Sequence, residues 1–325
     1  MPKLPAPSLV VVDVGHGNAA VLKDTDGCVV FDTGKKGPGL LAFLEKNGIS
    51  EISALVLSHA DDDHIGNASV LLLDKQIQVA RVYFNSDPTK GTDSQRQFML
   101  AVRTARREKN TEAHPALSTT STGQLDCGAV HIEVLYPPPE ELVTGIGGLA
   151  LSGRRSSSNS LSAAIRLCHV DKPCVLLGGD VGRECLRFWS SENVSVRASV
   201  LVFPHHGGSP ESENAATFAH GISTVVAPSI VIFSIHRTRF DLPRNDVVRA
   251  ILKALPKAKL MCTQLHDVLV GELRKKVKGP WSLHRIKQKG KETYWQGSIC
   301  IELAKGIARV GPHRPPRRPR SPRRR

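Results

Sequence analysis

The stretch SHADDDHIGN, residues 58–67, directly follows an apolar run, ISALVLS at 52–58. A buried-type strand that ends in two histidines and three aspartates poses an electrostatic problem. Three adjacent carboxylates repel one another severely if they leave water without a cation. An exposed acidic turn capping the next helix would relieve the aspartates, yet it gives neither histidine a purpose. A pair of divalent ions accounts for both, because it converts the repulsion into binding energy. His59, Asp61, Asp63 and His64 are therefore the candidate ligands, placed at a strand-to-helix junction.

Working outward, β-branched runs at 8–14, 19–24 and 28–32 are spaced for an antiparallel meander, with a Thr-Asp-Gly turn between the last two. A helix is expected over 38–47, stopped by Gly48, then the strand 52–58, a helix over 65–73 and a strand over 79–85. Phe98, Met99, Val102 and Ala105 fall at helical spacing within 93–108. Residues 109–128 and 140–158 read as loops on either side of a strand at 132–139 that ends in prolines. A second series then repeats the style of the first. Its strands are 161–167, 174–180, 199–206, 230–234, 258–262 and 297–303, and its helices 181–191 and 244–254. Two such series without a glycine-rich phosphate loop predict an α+β fold of two sheets sandwiched between helices. One domain is expected over 1–305, with 306–325 as a disordered Arg/Pro-rich tail.

A hydrophobic fraction of 40% with 23% charged residues excludes a fibrous or wholly disordered chain. Seven cysteines, an odd number without a CxxC pair, predict reduced thiols and a cytoplasmic setting. The N-terminal residues lack the features of a signal peptide, and no apolar run reaches the roughly 18 residues of a membrane span. Net charge is +14, and the last fifteen residues supply half of it through seven arginines and no acid. The basic balance points to a polyanionic partner, nucleic acid or nucleotide. A solvated, unpartnered tail explains the arginines there equally well.

SHADDDHIGN resembles the HxHxDH signature of the metallo-β-lactamase superfamily, with Asp61 where the second histidine usually stands. That variant is similar to the hydrolase domain of the ComEC competence proteins of DNA uptake. Other pieces follow in order: DVGHGNAAVL and VVFDTG (13–22, 29–34), NSLSAAIRL (159–167), LLGGD (176–180) and FPHHGGS (203–209). The resemblance spans roughly 8–303 and implies a four-layer αββα sandwich with two divalent metals, Zn²⁺ or Mn²⁺, at one edge. It implies His59 and Asp61 as ligands of the first metal, Asp63 and His64 of the second, Asp180 as the bridge, and His205 completing the second site. His206 is either the ligand in place of His205 or a nearby proton donor. Asp32, and Asn159 in the N-x-S-L element, would stand behind the ligands, Asp32 accepting a hydrogen bond from one of them.

The chain departs from the family at His16 and Asn18, where the opening motif carries Gln and Asp, which changes the polarity behind the site. Where relatives have a later glycine-histidine-proline element, this chain has Asp241-Leu242-Pro243. His236 either substitutes for that histidine in proton transfer or is an ordinary surface histidine. Asp63, His206 and His236 are thus the candidate catalytic groups. Arg154, Arg155, Arg237 and Arg239 lie in loops expected to open towards the metal edge, as candidate substrate contacts or as solvated charge. The function expected first is a metal-dependent phosphodiesterase or nuclease working through activated water. Hydrolysis of a small ester, lactone or β-lactam, and a metal-stabilised nucleic-acid-binding subunit without catalysis, are the alternatives.

Overall fold

The computed structural model describes residues 4–85, 87, 89–150, 153, 155–210, 213–236, 240–264, 285–288, 291–294, 297–305 and 307–310. The first three strands, β1 (Ser8–Val11), β2 (Ala20–Asp24) and β3 (Gly27–Phe31), form the expected antiparallel meander. Three crossovers then add parallel strands. Helix α1 (Gly39–Lys46) leads to β4 (Glu51–Val56), and the short helices α2 (Asp62–Ile65) and α3 (Ala68–Leu73) lead to β5 (Gln78–Tyr83). Helix α4 (Asp93–Glu108) leads to β6 (Glu112–His114). On the other flank of β1 lie β15 (Ile299–Glu302) and β16 (Ile307–Val310), which complete an eight-stranded sheet, while β13 (Arg285–Gln288) and β14 (Lys291–Tyr294) pair separately as an antiparallel two-stranded sheet.

The second sheet repeats this plan. Strands β7 (Val130–Tyr136), β8 (Ala164–His169) and β9 (Lys172–Leu177) are antiparallel, and β10 (Val200–Val202), β11 (Ile230–Phe233) and β12 (Lys259–Cys262) follow in parallel. Helices α6 (Arg183–Ser191), α7 (Ala215–Val226) and α8 (Asn245–Ala254) form the crossovers. Alternation along the strands decides the layers. Leu9, Val11, Leu22, Val29 and Phe31 pack against Ile132, Ile165, Leu167, Val175 and Val202, so one core lies between the sheets. Val10, Val21 and Val30 point the other way, onto Leu40, Leu44, Leu71 and Phe98 of the first helical layer. Leu176, Leu201 and Val231 meet Trp189, Phe218, Ile222 and Ile251 of the second. The result is the expected four-layer α/β/β/α sandwich.

Helix α4 coincides with the predicted span. The Thr92 hydroxyl caps its N-terminus by accepting from the Gln95 N–H at 3.3 Å, and Phe98, Ala101, Val102 and Ala105 form its buried face. Helix α7 was not expected, because Gly221 and the β-branched end of the segment lower its helical propensity. Packing outweighs propensity there: Phe218, Ala219, Ile222 and Val226 are buried, and Asn214 caps the start through the Thr217 N–H at 3.0 Å. Strand β6 lies within a segment read as loop, as does α5 (Pro139–Thr144), which has no buried residue. Strand β16 lies beyond the expected domain boundary at 305, so the first sheet continues into the segment read as tail. Residues 311–325 fall outside the described set.

Candidate metal centre

In both sheets the parallel strands end at the same edge, and their C-terminal loops hold the candidate residues. Asp32 follows β3, His59 follows β4, Asp180 follows β9, and His205 and His206 follow β10. The two halves are joined at this edge by direct bonds. Ala163 N–H donates to the Ser58 carbonyl at 2.9 Å and Ala60 N–H to Ser158 Oγ at 3.3 Å, while within the second half the Asp180 N–H donates to Ser162 Oγ at 2.9 Å. Gly179 makes the junction possible: at φ 51°, a Cβ there would lie 2.6 Å from Ser162 Oγ and 2.8 Å from the Ala163 carbonyl.

Two groups of ligand-type atoms result, each with its atoms within 4.8 Å of one another. The inner group is His59, His64 and Asp180, at most 7% exposed. The outer group, nearer the rim, is His16, Asp63 and His206. His64 Nε2 lies 3.4 Å from Asp180 Oδ1, and His59 Nε2 lies 3.7 Å from Asp180 Oδ2. Both His16 Nε2 and His206 Nε2 approach Asp63 Oδ2 at 3.2 Å. His205 faces Asp180 from the other side, with Nδ1 at 3.5 Å and its backbone N–H on Asp180 Oδ1 at 3.1 Å. Both His205 and His206 are left-handed, at φ 50° and 55°, which turns successive imidazoles towards different groups.

The tautomers say what these atoms face. His64 Nδ1 donates to Asp32 Oδ2 at 2.8 Å, and His206 Nδ1 donates to the Ser234 carbonyl at 2.9 Å. Asp32 is fixed in turn by the Ser58 N–H at 2.7 Å and the Ser58 hydroxyl at 2.9 Å. With Nδ1 carrying the proton, each neutral ring presents an Nε2 lone pair to a carboxylate oxygen. Two acceptors at such distances repel unless a cation, proton or metal, lies between them. Nε2 of His59, His64 and His205 is buried with no hydrogen-bond partner. Orphaned imidazole nitrogens backed by outer acceptors are the pattern of metal-binding histidines, so the residues present fit the divalent ions that the family implies.

Ionisation agrees. Burial, reinforced by the neighbouring His64, pushes His59 down to about 3, so it is a neutral lone-pair donor. Burial alone would protonate Asp180, but His205 and His64 outweigh it and hold the carboxyl well below its ordinary range. Burial likewise opposes ionisation of Asp63, and the His16 and His206 imidazoles beside it overcome that. Burial disfavours charge on His64, yet Asp180 and Asp32 raise it well above the usual imidazole value, so without a metal a proton takes the cation's place there.

The grouping differs from the one the resemblance implied. Asp63 and His64 are consecutive in α2, and neighbours on a helix face different ways. Asp63 therefore joins the outer group, and His64 the inner one. Asp61 belongs to neither; its carboxylate accepts from Lys90 Nζ, and Oδ1 lies 3.7 Å from His59 Nε2. Asn159 opens the short 3-10 turn Asn159–Leu161, next to Ser158, whose hydroxyl accepts from the Ala60 N–H at 3.3 Å. His236 is half-buried beside Gly15, where a Cβ would meet its ring at 3.2 Å. Arg155 is exposed, and its guanidinium donates to the Gly147 carbonyl of its own loop at 2.8 Å. Arg154, Arg237 and Arg239 lie outside the described residues. Sequence reasoning missed Lys90, which carries no local signal, and read His16 only as a change of polarity. All seven cysteines are thiols outside any disulfide, six of them buried, and burial pushes Cys28 and Cys168 up to about 12. Among the described residues no helix is long and apolar enough to cross a membrane.

Comparison with known proteins bears on this edge. Residues 12–154, which include the β4–α2 ligand string, match the family model described as the metallo-beta-lactamase superfamily. The chain is 34% identical over 253 residues to ComE operon protein 3 of Bacillus subtilis (strain 168), an alignment covering 74% of this chain and 28% of that protein. The chain thus spans little more than a quarter of that relative's length. Among solved structures, the metallo-beta-lactamase fold protein YhfI from Bacillus subtilis matches with a TM-score of 0.49 and 14% identity, over 79% of this chain and 96% of that one. A metallo hydrolase from Ignicoccus hospitalis gives 0.47 and 16%, over 78% and 94%. With the sandwich, the ordered motifs and the family match in agreement, residues 12–154 of this chain carry a metallo-β-lactamase superfamily domain, and the chain resembles ComE operon protein 3.

Proposed function

We propose that this chain is a dinuclear metal-dependent phosphodiesterase acting on nucleic acid or a nucleotide. The observation that carries the metal centre is the paired arrangement at His64 and His206. Each has Nδ1 committed to an outer acceptor and Nε2 turned to a carboxylate, at 3.4 and 3.2 Å. His59, His64 and Asp180 hold one ion in this reading, and Asp63 with His206 hold the other. Two such ions supply Lewis acidity when bound, lowering the pKa of water and offsetting charge on a phosphoryl oxygen. Zn²⁺ and Mn²⁺ both suit mixed imidazole and carboxylate ligation.

The remaining residues position and exclude. Asp32 and the Ser234 carbonyl hold the imidazoles in register, and Asp32 is itself held by Ser58. Lys90 is anchored beside the site by a built loop: Asp87 Oδ1 accepts from the Thr89 N–H at 2.9 Å and its hydroxyl at 2.7 Å. Its ammonium neutralises Asp61 in the free protein and is placed to meet a phosphate oxygen in the complex. His236, at the rim beside Gly15, is the proton donor to a leaving group in this reading. The phosphodiester preference is supported by the net charge of +14 and by the likeness to ComE operon protein 3.

The test is metal analysis together with Mn²⁺- or Zn²⁺-dependent cleavage of labelled single- and double-stranded oligonucleotides and a cyclic dinucleotide. Two ions and cleavage are expected. Two ions with turnover of lactones or esters alone would leave the centre standing and overturn the phosphodiester preference.

A further inference from the structure

The segment 12–19 joins β1 to β2 across this edge, and its backbone is docked onto Asp63. Asn18 N–H donates to the Asp63 carbonyl at 3.1 Å, and Gly34 N–H donates to the Asn18 carbonyl at 2.7 Å. Ser234 Oγ donates to the Gly17 carbonyl at 2.7 Å, which ties the same segment to the end of β11. Asp13 Oδ1 accepts from Gly15 N–H at 3.2 Å and from Gln264 Nε2 at 2.7 Å, closing the turn. Gly17 lets the approach happen: at φ 113°, a Cβ there would stand 2.1 Å from the Asp63 carbonyl oxygen. This scaffold carries His16 to the Asp63 carboxylate.

His16 Nε2 and His206 Nε2 meet the same oxygen, Asp63 Oδ2, each at 3.2 Å. The His16 ring is flanked by His206, with centroids 4.8 Å apart, and by Phe240 at 4.3 Å. Its side chain is 14% exposed, and Nδ1 is buried with no hydrogen-bond partner. Because His206 Nδ1 is committed to the Ser234 carbonyl, its Nε2 meets Asp63 Oδ2 only with a cation, proton or metal, between them. Two imidazoles and one carboxylate converge here from the β1–β2 segment, helix α2 and the turn after β10, with His16 supplying the third member.

We infer that His16 is a ligand of the outer metal, so that this ion is held by His16, Asp63 and His206, while His64 serves the inner one. The inference rests on the metal-centre reading above and goes beyond it. The resemblance does not imply this ligand, since the motif that DVGHGNAAVL resembles has glutamine at this position. It also gives the two sites equal ligand inventories, two imidazoles and one carboxylate each.

The experiment counts and titrates metal in the full chain by equilibrium dialysis with Zn²⁺ and with Co²⁺, independently of any substrate. Wild type is expected to bind two ions. His16→Gln, which restores the motif residue, is expected to retain one and to bind the second more weakly by over ~100-fold, beyond the loss typical of an outer-shell partner. His131→Gln, an exposed histidine paired with Asp126, is expected to keep both. His16→Cys loaded with Co²⁺ is expected to gain a thiolate-to-cobalt charge-transfer band on the second equivalent, a positive signal that does not depend on how well His16→Gln folds. Two ions of wild-type affinity in His16→Gln, with no such band in His16→Cys, would overturn the ligand role and leave the centre intact. A wild-type chain that binds no ion would overturn the centre itself.

Discussion

Two of the places where the sandwich holds buried charge are satisfied in different ways. Between β7 and β8, Arg166 donates to Glu133 through Nε at 2.5 Å and Nη2 at 3.1 Å, and its Nη1 reaches the Ser195 carbonyl at 2.6 Å. Every charged atom there has a complement supplied by the protein. At the edge that holds His64 and His206, each Nε2 faces a carboxylate oxygen, of Asp180 and Asp63, with Nδ1 already committed. One region is complete as folded, and the other is complete only with a cation, proton or metal, between its partners. The first is structural by its own bookkeeping; the second suits an ion that arrives from outside.

The comparison breaks first at Asp180. Asp180→Ala should lose the inner ion and lower any hydrolytic turnover by more than ~100-fold, beyond the loss expected for an outer-shell partner. Elemental analysis beside an activity assay checks it; unchanged metal content would put the edge on the same footing as Arg166–Glu133. Asp32→Asn keeps the shape but weakens the acceptor behind His64, and metal affinity or turnover should fall about 10- to 100-fold. In stripped protein, adding Zn²⁺ or Mn²⁺ at about 100 times its Kd should raise stability by about 2.7 kcal/mol, read from denaturant unfolding. A flat response would deny the edge its need for cations.

Glu133→Gln supplies the opposite case. It should leave metal content unchanged and cost about 1.5–3 kcal/mol at neutral pH, the range for hydrogen bonds to charged groups. Burial disfavours the Glu133 carboxylate, but the Arg166 hydrogen bond outweighs burial and holds its pKa below the ordinary 4.5. Its contribution is therefore present above about pH 4.5 and lost as pH falls through the lowered folded value. The stability gap between wild type and Glu133→Gln should accordingly narrow in acid. A gap that stayed constant with pH would mean the charge on Glu133 contributes nothing.

Much of this was legible in the chain because strand periodicity and strand-end chemistry are local. The meander of β1–β3, the layers and the residues of the ligand string follow from alternation and from charges too close together to be buried alone. What was not legible depends on distant partners. Helix α7 forms against Phe203 and its neighbours in spite of Gly221. Lys90 reaches Asp61 only because the Asp87 turn folds it back. The division of ligands into inner and outer groups depends on α2 rotating Asp63 away from His64, which a string of letters lists as adjacent.

The left-handed pair at His205 and His206 restricts how this edge can change over generations. Two successive residues near φ 50° each carry a cost of about 1–2 kcal/mol for an ordinary side chain. Only glycine and the few side chains that tolerate this backbone, asparagine, aspartate and histidine, are readily admitted. Mutation can thus exchange imidazole for carboxylate or amide at these positions, and can delete the side chain altogether. Valine, isoleucine and threonine are closed to it. The backbone of one turn sets the alphabet from which descendants of this chain can compose a new metal preference.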